Sequence, residues 1–209
     1  MKKKSRILMI TGALLPLLLF AFPLWNITLE APQYPTPLGM DIYINDFADA
    51  NPHDIKNINL MNHYVGMKYI PEAIPEFKIF PIGILITTVI GLIIGIKANY
   101  KWFLGWFILM VILSGAGLYD FYLWEHDYGH NLDPKAIMKF TNPDGTAMGF
   151  QPPLFGSKDI LNFRANSYPR LGAYFLAMGM FLSFIAFFIG RKEYGKHSKT
   201  SKKWKEAAI

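Results

Sequence analysis

Two histidines and two aspartates at the end of a long apolar segment have the types and spacing for metal chemistry. If residues 120–130 form one helix, Asp120, His126, Asp127 and His130 occupy about a third of its circumference. His126 and His130 are four residues apart, a spacing that lets two imidazoles reach one ion. Aspartates beside such a pair commonly orient the rings or balance the charge. The alternative is that these polar residues only hydrogen-bond two loops together.

A second cluster lies earlier in the chain, where Met61, His63 and Met67 combine soft and borderline metal ligands. The chain has no cysteine, which excludes thiolate metal sites, disulfides and cysteine-ligated iron–sulfur clusters. Thioether and imidazole without thiolate favour copper. The alternative is that the methionines are apolar filling under the loops. Further candidates outside the apolar segments are Met40, His53, Met138 and Met148.

The elements that must position these residues are apolar segments of membrane-spanning length. The chain has 209 residues, of which 52% are hydrophobic, and its mean hydropathy is +0.22. Four segments, at residues 7–25, 79–97, 102–124 and 171–189, are each long enough to cross a hydrocarbon core of roughly 30 Å. We therefore expect a single membrane domain of the all-α class with four transmembrane helices.

Lysine and arginine counts predict the orientation of these segments. The start of the chain, the turn after the second segment and the tail at residues 190–209 are basic. By contrast, residues 26–78 carry three lysines against seven carboxylates, and residues 125–169 carry four basic residues against five acidic ones. We expect both termini to be cytoplasmic, and the loops at 26–78 and 125–170 to form a small cap outside a bacterial inner membrane. The net charge of +6 then reflects topology and lipid attraction, not nucleic-acid binding.

The two outer loops carry signals of local structure. Alternating polar and apolar residues predict a short strand at 40–46, and helical spacing predicts a short helix at 57–69. Residues 142–145, Asn-Pro-Asp-Gly, predict a turn. Asp120 lies inside an apolar segment, where a carboxylate needs a partner, and Arg170 or Lys78 could supply one.

Three segments resemble a known family: residues 62–67 (Asn-His-Tyr-Val-Gly-Met), residues 127–134 (Asp-Tyr-Gly-His-Asn-Leu-Asp-Pro) and residues 151–156 (Gln-Pro-Pro-Leu-Phe-Gly). They are similar to the NosB-like proteins, small four-span membrane proteins associated with nitrous-oxide-reductase gene clusters of denitrification. The resemblance covers residues 43–173. It implies an accessory role in assembling or supporting a periplasmic copper enzyme, and it carries over no catalytic residue.

These observations predict an accessory membrane protein, more a binding protein than an enzyme, with lipid and an extracytoplasmic or membrane protein as partners. Its outward-facing site would bind copper through His63, His126, His130, Met61 and Met67, with Asp120 and Asp127 as charge partners. One alternative is a non-catalytic scaffold or docking subunit of a membrane respiratory complex. A second is an electron-transfer subunit that handles quinone or haem. No histidine lies within a predicted span, which counts against a buried haem.

Overall fold

The computed structural model describes residues 3–206 and the side chains of residues 4–195. Within that range the α-helices are α1 Lys3–Leu14, α2 Asp54–Val65, α3 Glu76–Lys97, α4 Tyr100–His130 and α5 Leu171–Glu206. The strands are β1 Trp25–Glu30, β2 Leu38–Ile42, β3 Phe47–Asp49, β4 Gly156–Ile160 and β5 Phe163–Pro169. The prediction of an all-α protein is therefore wrong, because the two outer loops contribute a five-stranded sheet.

The first predicted span, residues 7–25, is also wrong. Helix α1 ends at Leu14, a 3-10 helix follows over Leu15–Phe20, and β1 begins at Trp25. Pro16 lacks the N–H that would bond to the carbonyl of Gly12, and its ring crowds that carbonyl, so the α-helix cannot continue. From Trp25 onward apolar and polar residues alternate, which suits a strand with one buried face.

Three helices within the described residues are long and apolar enough to cross a membrane, which is the signature of a membrane protein. They are α3 with 22 residues, α4 with 31 residues, and the Leu171–Gly195 part of α5 with 25 residues, with mean hydropathies of 2.6, 1.8 and 2.0. Their surfaces expose many large apolar side chains, such as Ile82, Ile112 and Phe181. The second, third and fourth predicted spans lie within these helices.

The chain divides into two compact units. The first, here called the helical unit, contains residues 3–21, Pro81–Ser114 and residues 174–206. The second, here called the sheet unit, contains Phe22–Phe80 and Gly115–Ala173. Helices α3 and α4 each contribute residues to both.

The helical unit is built on close helix packing around Trp106. The Trp106 indole N–H donates a hydrogen bond of 2.9 Å to the carbonyl of Thr87, and a Cβ on Gly91 would lie only 2.8 Å from the indole nitrogen. Helices α1 and α5 approach most closely at glycines, since a Cβ on Gly12 would lie 2.7 Å from the carbonyl oxygen of Gly179. Such small residues allow helix backbones to pack tightly where lipid gives no hydrophobic drive. The buried core of this unit contains Met9, Ala13, Phe103, Trp106, Met110 and Ala186.

The sheet unit joins the two loops through one antiparallel sheet of order β3-β2-β1-β5-β4. The central strand β1 pairs with β2 of the first loop and with β5 of the second, so Ile27 lies opposite both Met40 and Ser167. Ser167 is fully buried and accepts a 2.7 Å hydrogen bond from the Trp25 indole. The predicted cap of two loops is thus one folded unit.

Helix α2 packs on this sheet through Ile58, which belongs to the same buried cluster as Ile27 and Met40. Its start is held by the buried carboxylate of Asp54, which accepts hydrogen bonds from the backbone N–H groups of Gly39 (2.7 Å) and Asn51 (2.9 Å). These bonds tie the first turn of α2 to the start of β2.

The local predictions for the loops are confirmed with shifted boundaries. The strand predicted at 40–46 ends at Ile42, because the chain turns there and the N–H of Tyr43 bonds to the carbonyl of Asp46. The helix predicted at 57–69 begins at Asp54 and ends at Val65, because Gly66 adopts a left-handed backbone with φ of 82°. The turn at residues 142–145 is present, with Gly145 at φ of 83°.

The glycine contact between α1 and α5 predicts a stability effect. Gly12→Ala should lower the melting temperature of the detergent-solubilised protein, because the new Cβ would collide with the backbone oxygen of Gly179. Gly83→Ala, in α3, is the matched control, since nothing lies within 4 Å of its added Cβ. Replacing glycine by alanine in a helix otherwise stabilises by about 1 kcal/mol, so the control should be neutral or more stable. Equal melting temperatures for the two variants would contradict the packing described here.

Candidate functional site

A cavity of about 170 Å³ lies inside the sheet unit. Its walls come from β1, β2, α2, the end of α4, and the second loop, so both loops are needed to enclose it. The lining is predominantly apolar and aromatic, as is usual for ligand sites. The aromatic residues of the wall are Tyr64, Trp124, Tyr128, Phe150 and Phe163.

Four methionines converge on this cavity from separate parts of the chain. Met40 comes from β2, Met61 from α2, Met67 from the segment after α2, and Met138 from the second loop. The sequence had marked Met61 and Met67 as ligand candidates, and the structure places both in one wall. A set of thioethers around one cavity is a soft environment suited to copper in its reduced state.

Helix α2 ends so that Met67 returns to the cavity. The left-handed Gly66 caps the helix, and the N–H of Met67 then bonds to the carbonyl of Asn62 at 2.9 Å. The second loop is fixed to the same point, because Asp133 N–H bonds to the Gly66 carbonyl at 2.8 Å. A Cβ on Gly66 would lie 3.0 Å from the Asp133 carbonyl oxygen, so this contact requires glycine as well as the positive φ.

Met138 reaches the cavity through a backbone contact with α2. Its N–H donates a 2.9 Å hydrogen bond to the carbonyl of Tyr64. The Met138 side chain is 43% exposed, whereas Met40 is only 3% exposed. The lining residues therefore range from exposed ones, such as Met138, Tyr64 and Gln33, to the buried Met40. The amide nitrogen of Gln33 lies 3.7 Å from the sulfur of Met61.

Glu125 is the one carboxylate in the cavity wall. It lies on α4 and is 1% exposed. Neither of its oxygens has a hydrogen-bond partner among the described residues. An unpaired buried carboxylate is expensive, so natural proteins rarely keep one without a purpose. Glu125 was not among the predicted site residues.

A helical pattern around Glu125 could have revealed it from the sequence. Counted from Glu125, Phe121 is four residues earlier, Trp124 is one residue earlier and Tyr128 is three residues later. On a helix these positions form one face, which is aromatic except for this single acid. The structure places Trp124, Glu125 and Tyr128 together in the cavity wall.

The predicted pair His126 and His130 is adjacent in space, as the spacing indicated. The two rings stack with centroids 4.3 Å apart and planes 19° apart, and both side chains are exposed outside the cavity. Imidazole lone pairs lie in the ring plane, so two stacked rings aim them in parallel and must rotate to share an ion. The Nδ1 of His130 lies 3.1 Å from the carbonyl oxygen of His126, which can only accept, so this Nδ1 carries the proton.

His63 lies on the side of α2 away from the cavity. Its ring is exposed and stacks on Tyr69 with centroids 6.1 Å apart. It is two positions after Met61, which is about 200° around a helix, so the two side chains diverge. The predicted cluster of Met61, His63 and Met67 therefore splits, with the methionines facing the cavity and the histidine facing outward.

The two predicted charge partners behave differently. Asp127 pairs with Lys68 at 2.6 Å, and both side chains are about half exposed. Such an exposed pair contributes little stability, but it links the two loops. Asp120 forms no ion pair within the part of the chain that is described, and its predicted partner Arg170 instead contacts Asp41 at 3.5 Å.

Among residues 4–195, no group of three or more histidine, aspartate or glutamate side chains could hold a metal ion. The three predicted histidine ligands are therefore not gathered with a carboxylate into one site. The cavity has a different set of donor groups, in which four methionine thioethers accompany one carboxyl, two amides and two tyrosine hydroxyls.

No protein-family model matches this chain. No curated protein and no solved structure matches it either. A functional assignment therefore depends on the geometry and chemistry of the chain's own residues.

The unpaired carboxyl of Glu125 predicts that the metal-free protein is less stable than it could be. Replacing Glu125 by Met, which is apolar and of similar length, should raise the free energy of unfolding by about 1–3 kcal/mol. Chemical denaturation in detergent measures the change. Glu72→Met, at an exposed position of the same unit, is the control and should have little effect. A destabilised Glu125→Met variant would indicate that the carboxyl has a stabilising partner in solution.

Proposed function

We propose that this protein is an accessory protein of the bacterial inner membrane that supports a periplasmic copper enzyme by holding copper in its outward-facing sheet unit. The observation that carries the proposal is the convergence of four methionines on one cavity. If the methionines only filled the core, those from β2, α2 and the second loop would have no reason to line the same cavity.

The ligand chemistry of the chain supports copper over other metals. Zinc sites normally use cysteine or several histidines, and calcium and magnesium need many oxygen ligands. The cavity wall has neither set, and the chain has no cysteine. Thioethers select the soft cuprous ion.

The charge pattern and one contact support the proposed orientation. The lysine-rich start and tail suit the cytoplasmic side. Within the helical unit, the Ser5 hydroxyl donates a 2.7 Å hydrogen bond to the carboxylate of Glu193, so the beginning of α1 lies beside the later part of α5. These two segments would then lie on the same, cytoplasmic side of the membrane.

The resemblance to the NosB-like proteins agrees with this assignment, because it implies service to a periplasmic copper enzyme such as nitrous oxide reductase. In the proposed role, the cavity holds copper on its way to that enzyme. His63, His126 and His130 are exposed near the cavity and remain candidate ligands for the exchange step. The partner enzyme would contact the same exposed surface.

One set of contacts favours a second function, that of a non-catalytic scaffold. Lys68 bonds to Asp127, and the Tyr128 hydroxyl donates a 3.0 Å hydrogen bond to the carbonyl of Tyr69. These contacts fasten the two loops together without any ligand. Under this alternative, the polar residues of α4 are structural, and the sheet unit is a docking surface for a membrane complex.

A cuprous-ion titration separates the two functions. The detergent-solubilised wild type, titrated anaerobically against a chromophoric Cu⁺ chelator, should take up one copper ion. Met61→Leu combined with Met67→Leu should lower the affinity by about tenfold or more, because two thioether ligands are lost while the apolar volume is kept. Met148→Leu is the control, since Met148 does not line the cavity. Absence of Cu⁺ uptake by folded wild type would refute copper holding and leave the scaffold.

The histidines are tested in the same titration. Changing His63, His126 and His130 together to Ala should slow the transfer of copper to and from the chelator, because three exposed imidazoles, the proposed exchange ligands, are removed. Replacing His53 by Ala, in the turn before α2, is the control. Unchanged transfer rates in the triple variant would remove the histidines from the proposed copper route.

A further inference from the structure

The four methionines of the cavity cannot neutralise the positive charge of a bound copper ion. Thioethers are neutral, so a copper ion bound by them alone would be a bare charge in an apolar cavity. An ionised Glu125 would be a buried negative charge without a counter-ion, because its carboxyl is 1% exposed and lacks a hydrogen-bond partner among the described residues. Both groups line the same space of about 170 Å³.

Within the described region, no basic side chain forms an ion pair with Glu125. The ion pairs found there join Lys68 to Asp127 and Arg170 to Asp41. The cavity wall contains no lysine, arginine or histidine. The negative charge of an ionised Glu125 must therefore be neutralised by a proton or by a metal cation, and a metal ion that binds there displaces the proton.

We propose that Glu125 is the anionic ligand of the cavity and that the site is specific for a soft monovalent cation, Cu⁺ or its analogue Ag⁺. One carboxylate and one monovalent cation form a neutral pair, which the apolar wall can bury. A divalent ion such as Cu²⁺ or Zn²⁺ would leave one uncompensated positive charge there, at a large cost. This inference rests on the proposed function for the identity of the cargo and adds the group that sets its charge.

The same arrangement explains why hard cations are excluded. Sodium and magnesium ions need several oxygen ligands or retained water, whereas the wall offers one carboxylate and a small number of amide oxygens among apolar groups. The methionines select a soft ion, and the single carboxylate selects a charge of one. Cu⁺ and Ag⁺ are both soft and singly charged, so they meet both requirements of the site.

The test compares wild type with Glu125→Gln, which keeps size and shape but cannot carry charge. Full-length protein in detergent is titrated with Cu⁺ and Ag⁺ by chelator competition, and Glu72→Gln is the control at an exposed position. The affinity for both ions should fall by about tenfold or more in Glu125→Gln, because a charge-assisted ligand is lost, and should not change in Glu72→Gln. Zn²⁺ should bind to this cavity neither in wild type nor in Glu125→Gln.

The outcomes distinguish this inference from the proposed function. If wild type binds no Cu⁺, the copper function itself is refuted. If wild type binds Cu⁺ and loses it with Met61→Leu and Met67→Leu, but Glu125→Gln binds as tightly as wild type, only the role of Glu125 is refuted. Tight binding of Zn²⁺ that depends on Glu125 would overturn the selection for a single charge.

A spectroscopic measurement on the wild type covers the case in which Glu125→Gln does not fold. The infrared difference spectrum on adding Ag⁺ should contain a change in carboxyl bands, because silver coordinates the group and its protonation or coordination state alters. The Glu72→Gln variant should give the same difference bands. A difference spectrum without carboxyl bands would rule out Glu125 as a ligand.

Discussion

The pairing of β1 with β5 is the interaction on which the sheet unit depends. Residues Trp25–Glu30 lie antiparallel to residues Arg164–Pro169 and connect two loops that are separated by two long helices in the sequence. The register places the alternating apolar residues of β1 on the face that α2 covers. A shift of one residue would turn those side chains to the other face, so the buried cluster holds the register. Every wall of the methionine-lined cavity is positioned by this sheet or by elements that pack on it.

The cavity also illustrates a conflict between stability and function. A fully apolar core at this position would be more favourable than one with an unpaired carboxyl and a hole. Places where a protein departs from such packing rules are often functional sites. Here the departure consists of one acid, several soft ligands and an opening to the surface, which together have a clear ligand chemistry. The exposed pair of His126 and His130, by contrast, breaks no packing rule and is therefore the weaker indicator of a functional site.

Much of the architecture could be predicted from local patterns, and the errors have identifiable causes. The three long apolar helices were recognised because hydropathy over about 20 residues reports membrane-spanning length directly. The first span was overestimated because apolar content was counted across Pro16 and into the alternating residues of β1, where the period changes from helical to extended. The proximity of His126 and His130 followed from helical spacing alone, whereas the stacking of their rings did not. The separation of His63 from Met61 follows from the same geometry, but proximity in the sequence obscured it.

By itself, the sequence determined which segments are apolar enough to enter a membrane, which loops are acidic, and which metal ligands the chain lacks. These properties are sums over neighbouring residues, so they can be read without the fold. Only the tertiary structure decided that Met40, Met61, Met67 and Met138 line the same cavity as Glu125. That convergence depends on strand pairing between distant segments and on the glycine-capped end of α2, and such long-range contacts leave no periodic signal in a single sequence.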